Sequence, residues 1–524
     1  MHKYWSKKPS DLVANYIRRF SSPGDVVLDP FCGSGVTVIE SVRLQRRAIG
    51  IDINPIAVFL TKSGLEHVDV ENVQRAYSCI EKAVRPEIEK LYRSVCPRCS
   101  NPNAIATHYI WQQSEMKEVW ISCGRCETKK SVKRPDQHDL SLVETLGPPD
   151  LWYPQDRLFE NSRINAKDGM KISDLFTNRA LHGLSMLVSE IERIDDINVK
   201  NSLRLCFSAA LPQTSRMVFV IRRRGKASGD NTNSKTEVGS WVIGYWTPSE
   251  HFEINVWRCF ENRFKRIVKG KKEITKVLPN RRAGLSWKNF DGCKADYFVK
   301  VGNATKLSLE SESIDYVFTD PPHGNRIPYL ELSLMWNSWL GHDKVDWQNE
   351  VVVSAAKARN KDARDYRYRI GVAVAEIWRV LKPGRCMSLA FNSLDDSTWL
   401  ALLNSCTQTG FQLLGIQPLN YSATSIVQDN RRNALKTDFV LTFQKQLPRM
   451  KSEVTLNLNR KEVSDCISEF IWGLPSQCAQ TYDVLNHIIV FQAKRGEFSP
   501  VSLILDVLEQ DYRFVDSGWT SGNN

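Results

Sequence analysis

Asp320-Pro321-Pro322-His323 follows the apolar run Ile314 to Thr319, which reads as a buried strand ending in a carboxylate. At such a strand mouth the Asp320 side chain and a fixed proline carbonyl both accept hydrogen bonds, and the prolines bring no competing N–H. That pairing suits a planar exocyclic amine, whose lone pair is delocalised into its ring and is a poor nucleophile. Two acceptors for its N–H groups favour the pyramidal amine that attacks an electrophile. His323 adds an imidazole, with less stacking area than Tyr, Phe or Trp and a polar edge. Tyr329, a few residues on, offers a second aromatic face. Asp-Pro-Pro alone is a turn signal, so its weight depends on a partner elsewhere in the chain.

That partner lies near the N-terminus. Val26 to Asp29 reads as a strand, Pro30-Phe31-Cys32-Gly33-Ser34-Gly35 as a tight turn, and Val36 to Leu44 as a helix. A second strand, Ala48 to Ile51, runs into another acid, Asp52. Glycines let backbone approach a ligand, and an acid at this position accepts from ribose hydroxyls. The spacing is not Gly-x-Gly-x-x-Gly and no Lys-Ser/Thr follows, which disfavours a dinucleotide or a nucleoside triphosphate.

Asp-Pro-Phe-x-Gly-Ser-Gly followed by Asp-Pro-Pro resembles the DNA amino-methyltransferases, which methylate N6 of adenine or N4 of cytosine. The resemblance spans residues 1–62 and 299–445. It implies a Rossmann-like α/β core dependent on S-adenosylmethionine, with a mixed sheet and an antiparallel last strand. It also implies direct methyl displacement, with Asp320, Pro321, Pro322 and His323 as the catalytic positions. The target base would be flipped out of the duplex, at a cost of a few kcal/mol. The segment His2 to Pro9, with Lys7, would lie over the methionine end of the cofactor. Asp29, Pro30, Phe31, Gly33, Ser34 and Gly35 would line it, Asp52 would hold its ribose, and Asn303 and Ala304 would meet its adenine. Two positions depart from the family pattern: Asn303 stands where Asp is usual, and His323 where an aromatic residue stacks on the base. Leu381 to Arg385 resembles the turn after the catalytic strand and Cys386 to Phe391 the next strand. Phe411 to Leu419 and Thr437 to Gln444 would close the sheet as an antiparallel pair. Cys32 lies inside the cofactor loop and no other cysteine constellation suits attack on a pyrimidine, which disfavours methylation at carbon 5 of cytosine.

Four cysteines form two knuckles, Cys96-Pro-Arg-Cys99 and Cys123-Gly-Arg-Cys126. Between them Thr107 to Trp111 and Glu118 to Ser122 read as a hairpin. Four thiolates at this spacing suit tetrahedral zinc with no open position, so a structural rather than catalytic ion in a zinc ribbon is expected. His108 and His138 are surplus to that ligand set.

Net charge is +12, and residues 201–300 hold 20 Lys/Arg against 8 Asp/Glu, which accounts for the whole excess. Arg222, Arg223 and Arg224 lie there. So does the helical run Val256 to Val277, whose apolar positions Val256, Phe260, Phe264, Ile267 and Val268 recur at helical spacing. Arg263, Lys265, Arg266, Lys269, Lys271 and Lys272 cluster alongside. A basic outer face suits phosphate contact, so nucleic acid is the expected partner. Thirteen cysteines in 524 residues do not suggest a disulfide framework, and no signal core or bilayer-spanning run is present, so a cytoplasmic enzyme is expected.

The chain divides into a cofactor-binding half (1–92), the ribbon (93–135), a helical and basic insertion suited to target recognition (136–298), the catalytic half (299–446) and a C-terminal module (447–524). In that module Lys461 to Trp472 and Val501 to Gln510 read as helices and Ser517 to Asn524 as a frayed end. Residues 174–210 read as two packing helices, and Lys226 to Thr236 as a mobile polar loop. The C-terminal module has no assigned chemistry: it recognises sequence, binds a partner or caps the core. An RNA amine methyltransferase and a non-catalytic subunit of a larger assembly are the competing readings. The family resemblance also brings a restriction or phage-defence partner into view.

Overall fold

The computed structural model describes the chain except residues 1, 6, 224–234, 243, 279–280, 292–294, 343, 394–395, 419–437, 448–453, 516–517 and 522–524. Arg224 and residues 226–234 of the polar stretch therefore lie outside the described residues.

The core is one seven-stranded sheet. In chain order its strands are β1 (Val26–Asp29), β2 (Arg47–Asp52), β3 (Tyr297–Val301), β4 (Ile314–Thr319), β5 (Leu381–Phe391), β6 (Phe411–Pro418) and β7 (Phe439–Lys445). Their spatial order is β3-β2-β1-β4-β5-β7-β6, and β7 runs antiparallel to both neighbours while β1 to β5 are parallel. This is the mixed sheet with one antiparallel late strand expected of a Rossmann-like methyltransferase core. β1 and β4 are buried at every residue, which is why both read as unbroken apolar runs rather than alternating ones. Their adjacency brings the C-terminal ends of the two motif-bearing strands together at the switch point of the sheet, where open α/β sheets bind ligands.

The ribbon is not self-contained. Ala104–Gln112, Glu115–Cys123 and Thr128–Lys133 form the antiparallel meander, and Glu250–Ile254 adds to the free edge of Ala104–Gln112 from more than a hundred residues away. The sheet thus continues beyond residue 135 into the insertion. Helices Val70–Lys90, Asn178–Glu192, Ile197–Thr214 and Val256–Val277 pack together beside it, with Tyr77 stacked on Phe264 at 3.8 Å between centroids.

The C-terminal module shares one apolar core with the catalytic half: Trp399, Phe439, Ile467, Val484, Phe498 and Ile504 all belong to it. It holds three helices, Arg460–Trp472, Thr481–Lys494 and Val501–Asp511, of which the middle one escaped the sequence reading. Within the expected frayed end, Gly518–Ser521 instead forms a strand paired with Tyr512–Val515. Capping the core is the role this packing supports.

Candidate active site

A cleft of about 870 Å³ opens at the C-terminal ends of β1, β2 and β4. Lys7, Asp29, Pro30, Phe31, Gly33, Ser34, Asp52, Asn303, Ala304, Asp320, Pro322 and Tyr329 all line it. Most of the predicted cofactor and catalytic positions therefore converge on one space. Gly35, Pro321 and His323 do not face it. Ser34 and Phe31 are half-buried along its wall.

The glycine turn is shaped by close contacts. Gly33 and Gly35 take φ of +49° and +82°, in the left-handed region. A Cβ on Gly33 would stand 3.1 Å from the Tyr4 ring, and one on Gly35 would meet Thr61 at 2.5 Å. Gly35 is needed to pack the turn against the following helix Pro55–Leu65, Gly33 to let Tyr4 close over the loop.

Asp52 is fixed by two backbone donors, Gly33 N at 2.8 Å on Oδ2 and Asn54 N at 2.9 Å on Oδ1. Each oxygen keeps a lone pair for a hydroxyl donor. Burial raises its carboxyl to about 6. Asp29 is buried and lifted further, to about 7, by desolvation that its hydrogen bonds only partly offset. Its Oδ1 accepts from Thr319 Oγ at 2.6 Å, tying the cofactor turn to the end of the catalytic strand. At Asn303 the amide oxygen already accepts from Thr305 N at 2.9 Å and Thr305 Oγ at 2.8 Å. The reading in which that oxygen receives an adenine amine therefore competes with a local turn.

Asp320 sits 20% exposed, with both oxygens engaged. Lys8 Nζ lies 2.7 Å from Oδ2, and His323 Nε2 lies 3.0 Å from Oδ1. Lys8 is almost fully buried and also pairs with Asp438 at 3.0 Å. Lys7, expected over the cofactor, is exposed at the rim; its neighbour Lys8 is the lysine that reaches Asp320. His323 is buried, edge-on to Phe391 at 4.8 Å between centroids, so its ring is held by Asp320 and Phe391 rather than presented to the cleft. Tyr366 Oη donates to the Pro322 carbonyl at 2.8 Å, fixing the second proline and leaving Pro321 as the proline whose carbonyl has this role open to it. Tyr329 and Tyr4 face each other at 6.2 Å between centroids, 26° from parallel, across the cleft wall.

Sequence reading also missed Glu350, a buried cleft residue. It accepts from Leu330 N at 2.9 Å and from Arg359 at 2.6 Å, which fixes the start of helix Tyr329–Trp339 and hence Tyr329. Arg359 also holds Glu331 at 3.0 Å. Nothing in the local pattern around Glu350 signals this role, because its partners come from a separate stretch.

The four cysteines converge as expected. Their sulfurs lie within 4.8 Å of one another, with Cys96–Cys126 at 3.7 Å and Cys99–Cys123 at 3.6 Å. A tetrahedral zinc with Zn–S of about 2.3 Å places sulfurs roughly 3.8 Å apart, so the donor set fits the ion.

The basic positions separate by burial. Lys265, Arg266, Lys269 and Lys272 lie on the outer face of helix Val256–Val277. Lys271 does not: it is buried, donating to Ser63 O at 2.7 Å and Glu66 O at 3.2 Å, because it falls on the apolar stripe. Arg263 is half-buried beside the N-terminal segment, where it opposes the charge of His2 and Lys3. Arg222 is exposed and paired with Glu250, while Arg223 ends the same short strand, Val220–Arg223.

Residues 2–62 match the N6_N4_Mtase family, described as DNA methylase. The chain is 41% identical over 86 residues to Type II methyltransferase M.BsoBI of Geobacillus stearothermophilus, covering 16% of this chain and 17% of that protein. It is 42% identical over 65 residues to DNA adenine methyltransferase YhdJ of Escherichia coli (12% and 21%). Against Type II methyltransferase M.MjaII of Methanocaldococcus jannaschii it is 31% identical over 75 residues (14% of each). The similarity thus spans under a quarter of the length of each of these relatives. No described helix is long and apolar enough to cross a membrane.

Proposed function

We propose that this amino-methyltransferase moves a methyl group from S-adenosylmethionine to the exocyclic amine of adenine (N6) or cytosine (N4) in DNA, acting on a base flipped out of the duplex. One observation carries the reading: Asp320, at the end of β4, lines the same cleft as the glycine turn and Asp52. A nucleoside-binding end and an amine-binding end share one space.

The residues fit the cofactor. Asp52 keeps acceptor capacity on both oxygens for ribose hydroxyls. Asp29, Pro30, Phe31, Ser34, Asn303 and Ala304 would complete the wall around it, with Lys7 at the rim. When bound, S-adenosylmethionine supplies a methyl group already made electrophilic by its sulfonium. The protein's own part is alignment and electrostatics. Asp320 holds the amine and is placed to take the proton that nitrogen loses; the Pro321 carbonyl, off the cleft lining, is the second acceptor that the family resemblance implies. Lys8 sets a positive charge against Asp320. Each oxygen of Asp320 has one donor already and keeps a lone pair for the incoming amine. Tyr329 is the better placed stacking surface, and His323 orients Asp320.

DNA is favoured by the names of the relatives and by the basic face of residues 201–300, with Arg222, Arg223, Lys265, Arg266 and Lys269 as phosphate contacts and Arg263 nearer the core. Residues 136–298 serve target recognition in this reading, and Cys96, Cys99, Cys123 and Cys126 hold a structural zinc. Asp320→Ala should abolish transfer while cofactor affinity, read by calorimetry, stays within about threefold. Equal loss of both would make Asp320 a structural residue and remove the main support for the proposal.

A further inference from the structure

A second pocket, of about 600 Å³, lies in the insertion and shares no residue with the catalytic cleft. It forms where the turn of the ribbon hairpin (Gln113, Ser114), the added strand Glu250–Ile254 and the first turn of helix Asn178–Glu192 meet.

Its floor holds an unusual cation. Arg179 is 3% exposed; its guanidinium pairs with Glu253 and meets Tyr109, and makes no hydrogen bond of good geometry. The nearest carboxylate oxygen, on Glu253, stands 3.5 Å from Nε and is committed elsewhere: Glu253 accepts from Thr177 Oγ at 2.9 Å and Trp111 Nε1 at 2.8 Å. The guanidinium otherwise rests over the Tyr109 ring at 4.1 Å. A buried guanidinium with idle donors is costly, since each unmet donor forfeits its hydration. A second arginine, the half-buried Arg216, lines the same space and has no side-chain ion pair among the described residues. His251, also lining it, is buried with Nδ1 unpartnered. With Glu253 balancing one arginine, the pocket keeps one net positive charge and several unused donors. Trp111, Val143 and Leu146 supply an apolar wall.

We infer that this pocket binds the phosphate of a small nucleotide, the anion on Arg179 and Arg216 and the flat base against the apolar wall. Two guanidinium forks match the oxygens of a phosphate bidentately, and Glu253 is the one carboxylate lining the pocket to set against them. The site is separate from methyl transfer in this reading.

Calorimetric titration of the full, zinc-loaded chain with thymidine 5′-monophosphate tests this, since thymine avoids a cleft built for adenosine. Thymidine serves as the phosphate-free control and inorganic phosphate as the base-free one. Saturable binding of the monophosphate in the sub-millimolar range is expected, with thymidine at least about tenfold weaker. Inorganic phosphate binding weakly at the same residues would support the phosphate half of the site. Arg216→Gln, on a half-exposed side chain that folding tolerates, should weaken the monophosphate about tenfold and leave S-adenosylhomocysteine binding unchanged. Arg179→Gln should do the same or more, with thermal melting to confirm the fold. No saturable binding up to the millimolar range, or binding unmoved by Arg216→Gln, would overturn the proposal and leave Arg179 as a packing residue on Tyr109.

Discussion

Asp320 touches Lys8 through one oxygen and His323 through the other, and Lys8 reaches on to Asp438. Removing the ammonium would leave two largely buried acids facing each other. Lys8→Met should therefore destabilise the chain by about 3 kcal/mol in urea unfolding. It should also slow transfer, because Lys8 holds the Asp320 carboxylate in place. An unchanged rate would separate Lys8 from the reaction. Asp52 gives a second handle on pH. Its carboxyl, raised to about 6 by burial, accepts more strongly from ribose when ionised, so cofactor affinity should fall as pH drops below about 6. Asp52→Asn should lose that pH dependence. Asp29 acts on stability instead. Burial lifts it to about 7, so the folded chain keeps a proton that the unfolded chain releases near pH 4. Stability should decline as pH rises between those values, and Asp29→Asn should flatten the decline. The acids and glycines were legible because their chemistry sits beside their strands. Lys8 was not told from Lys7, since two adjacent lysines before a proline differ only in the direction each takes from the backbone. Glu350 was hidden for another reason: its partner Arg359 and the helix start it fixes are set by tertiary packing.

Elements were easiest to read where burial is two-sided. β1 and β4 are covered on both faces and appear in the sequence as plain apolar runs ending in acids. Helix Val256–Val277 was read to the residue from its apolar stripe, yet Lys271 lies on that stripe, its ammonium satisfied by two carbonyls. Composition alone counts such a lysine as surface. The strand Glu250–Ile254 was invisible because it pairs with a hairpin far away in the chain, and long-range register leaves no local trace. At the glycine turn, Gly35→Ala combines a left-handed φ with a Cβ 2.5 Å from Thr61. It should cost about 2 kcal/mol or more in stability and weaken cofactor binding in parallel, both readable by melting with and without S-adenosylhomocysteine. In the ribbon, chelation of a zinc held by Cys96, Cys99, Cys123 and Cys126 should destabilise the chain by several kcal/mol, on the order of what small zinc sites contribute. Because Glu250–Ile254 ties the ribbon sheet to the insertion, hydrogen exchange should then rise in both, not in the ribbon alone.

For the whole molecule, charge and packing assign different work to different parts. The C-terminal helices complete the core behind β6 and β7, and removing residues 447–524 would expose Phe439, Trp399 and their neighbours. The basic outer face of Val256–Val277 is the proposed surface for nucleic acid. Replacing Lys265, Arg266, Lys269 and Lys272 by Gln should weaken DNA binding across sequences and flatten the plot of log affinity against log salt by about 0.9 for each phosphate no longer neutralised. An unchanged slope would send the search for the DNA surface to Arg222 and the strand that carries it. Domain roles were only partly visible in the chain: the excess charge in residues 201–300 marked a face, but nothing there says which sequence it meets. The most direct test of the central claim is to incubate the zinc-loaded protein with labelled S-adenosylmethionine and unmethylated DNA, with RNA in parallel and Asp320→Ala as the blank. Modified nucleosides are then identified by mass spectrometry. N6-methyladenine or N4-methylcytosine in DNA, absent from the blank, is the predicted result. A methylated base in RNA alone, or no methylated nucleoside from a protein that binds the cofactor and DNA, would contradict it.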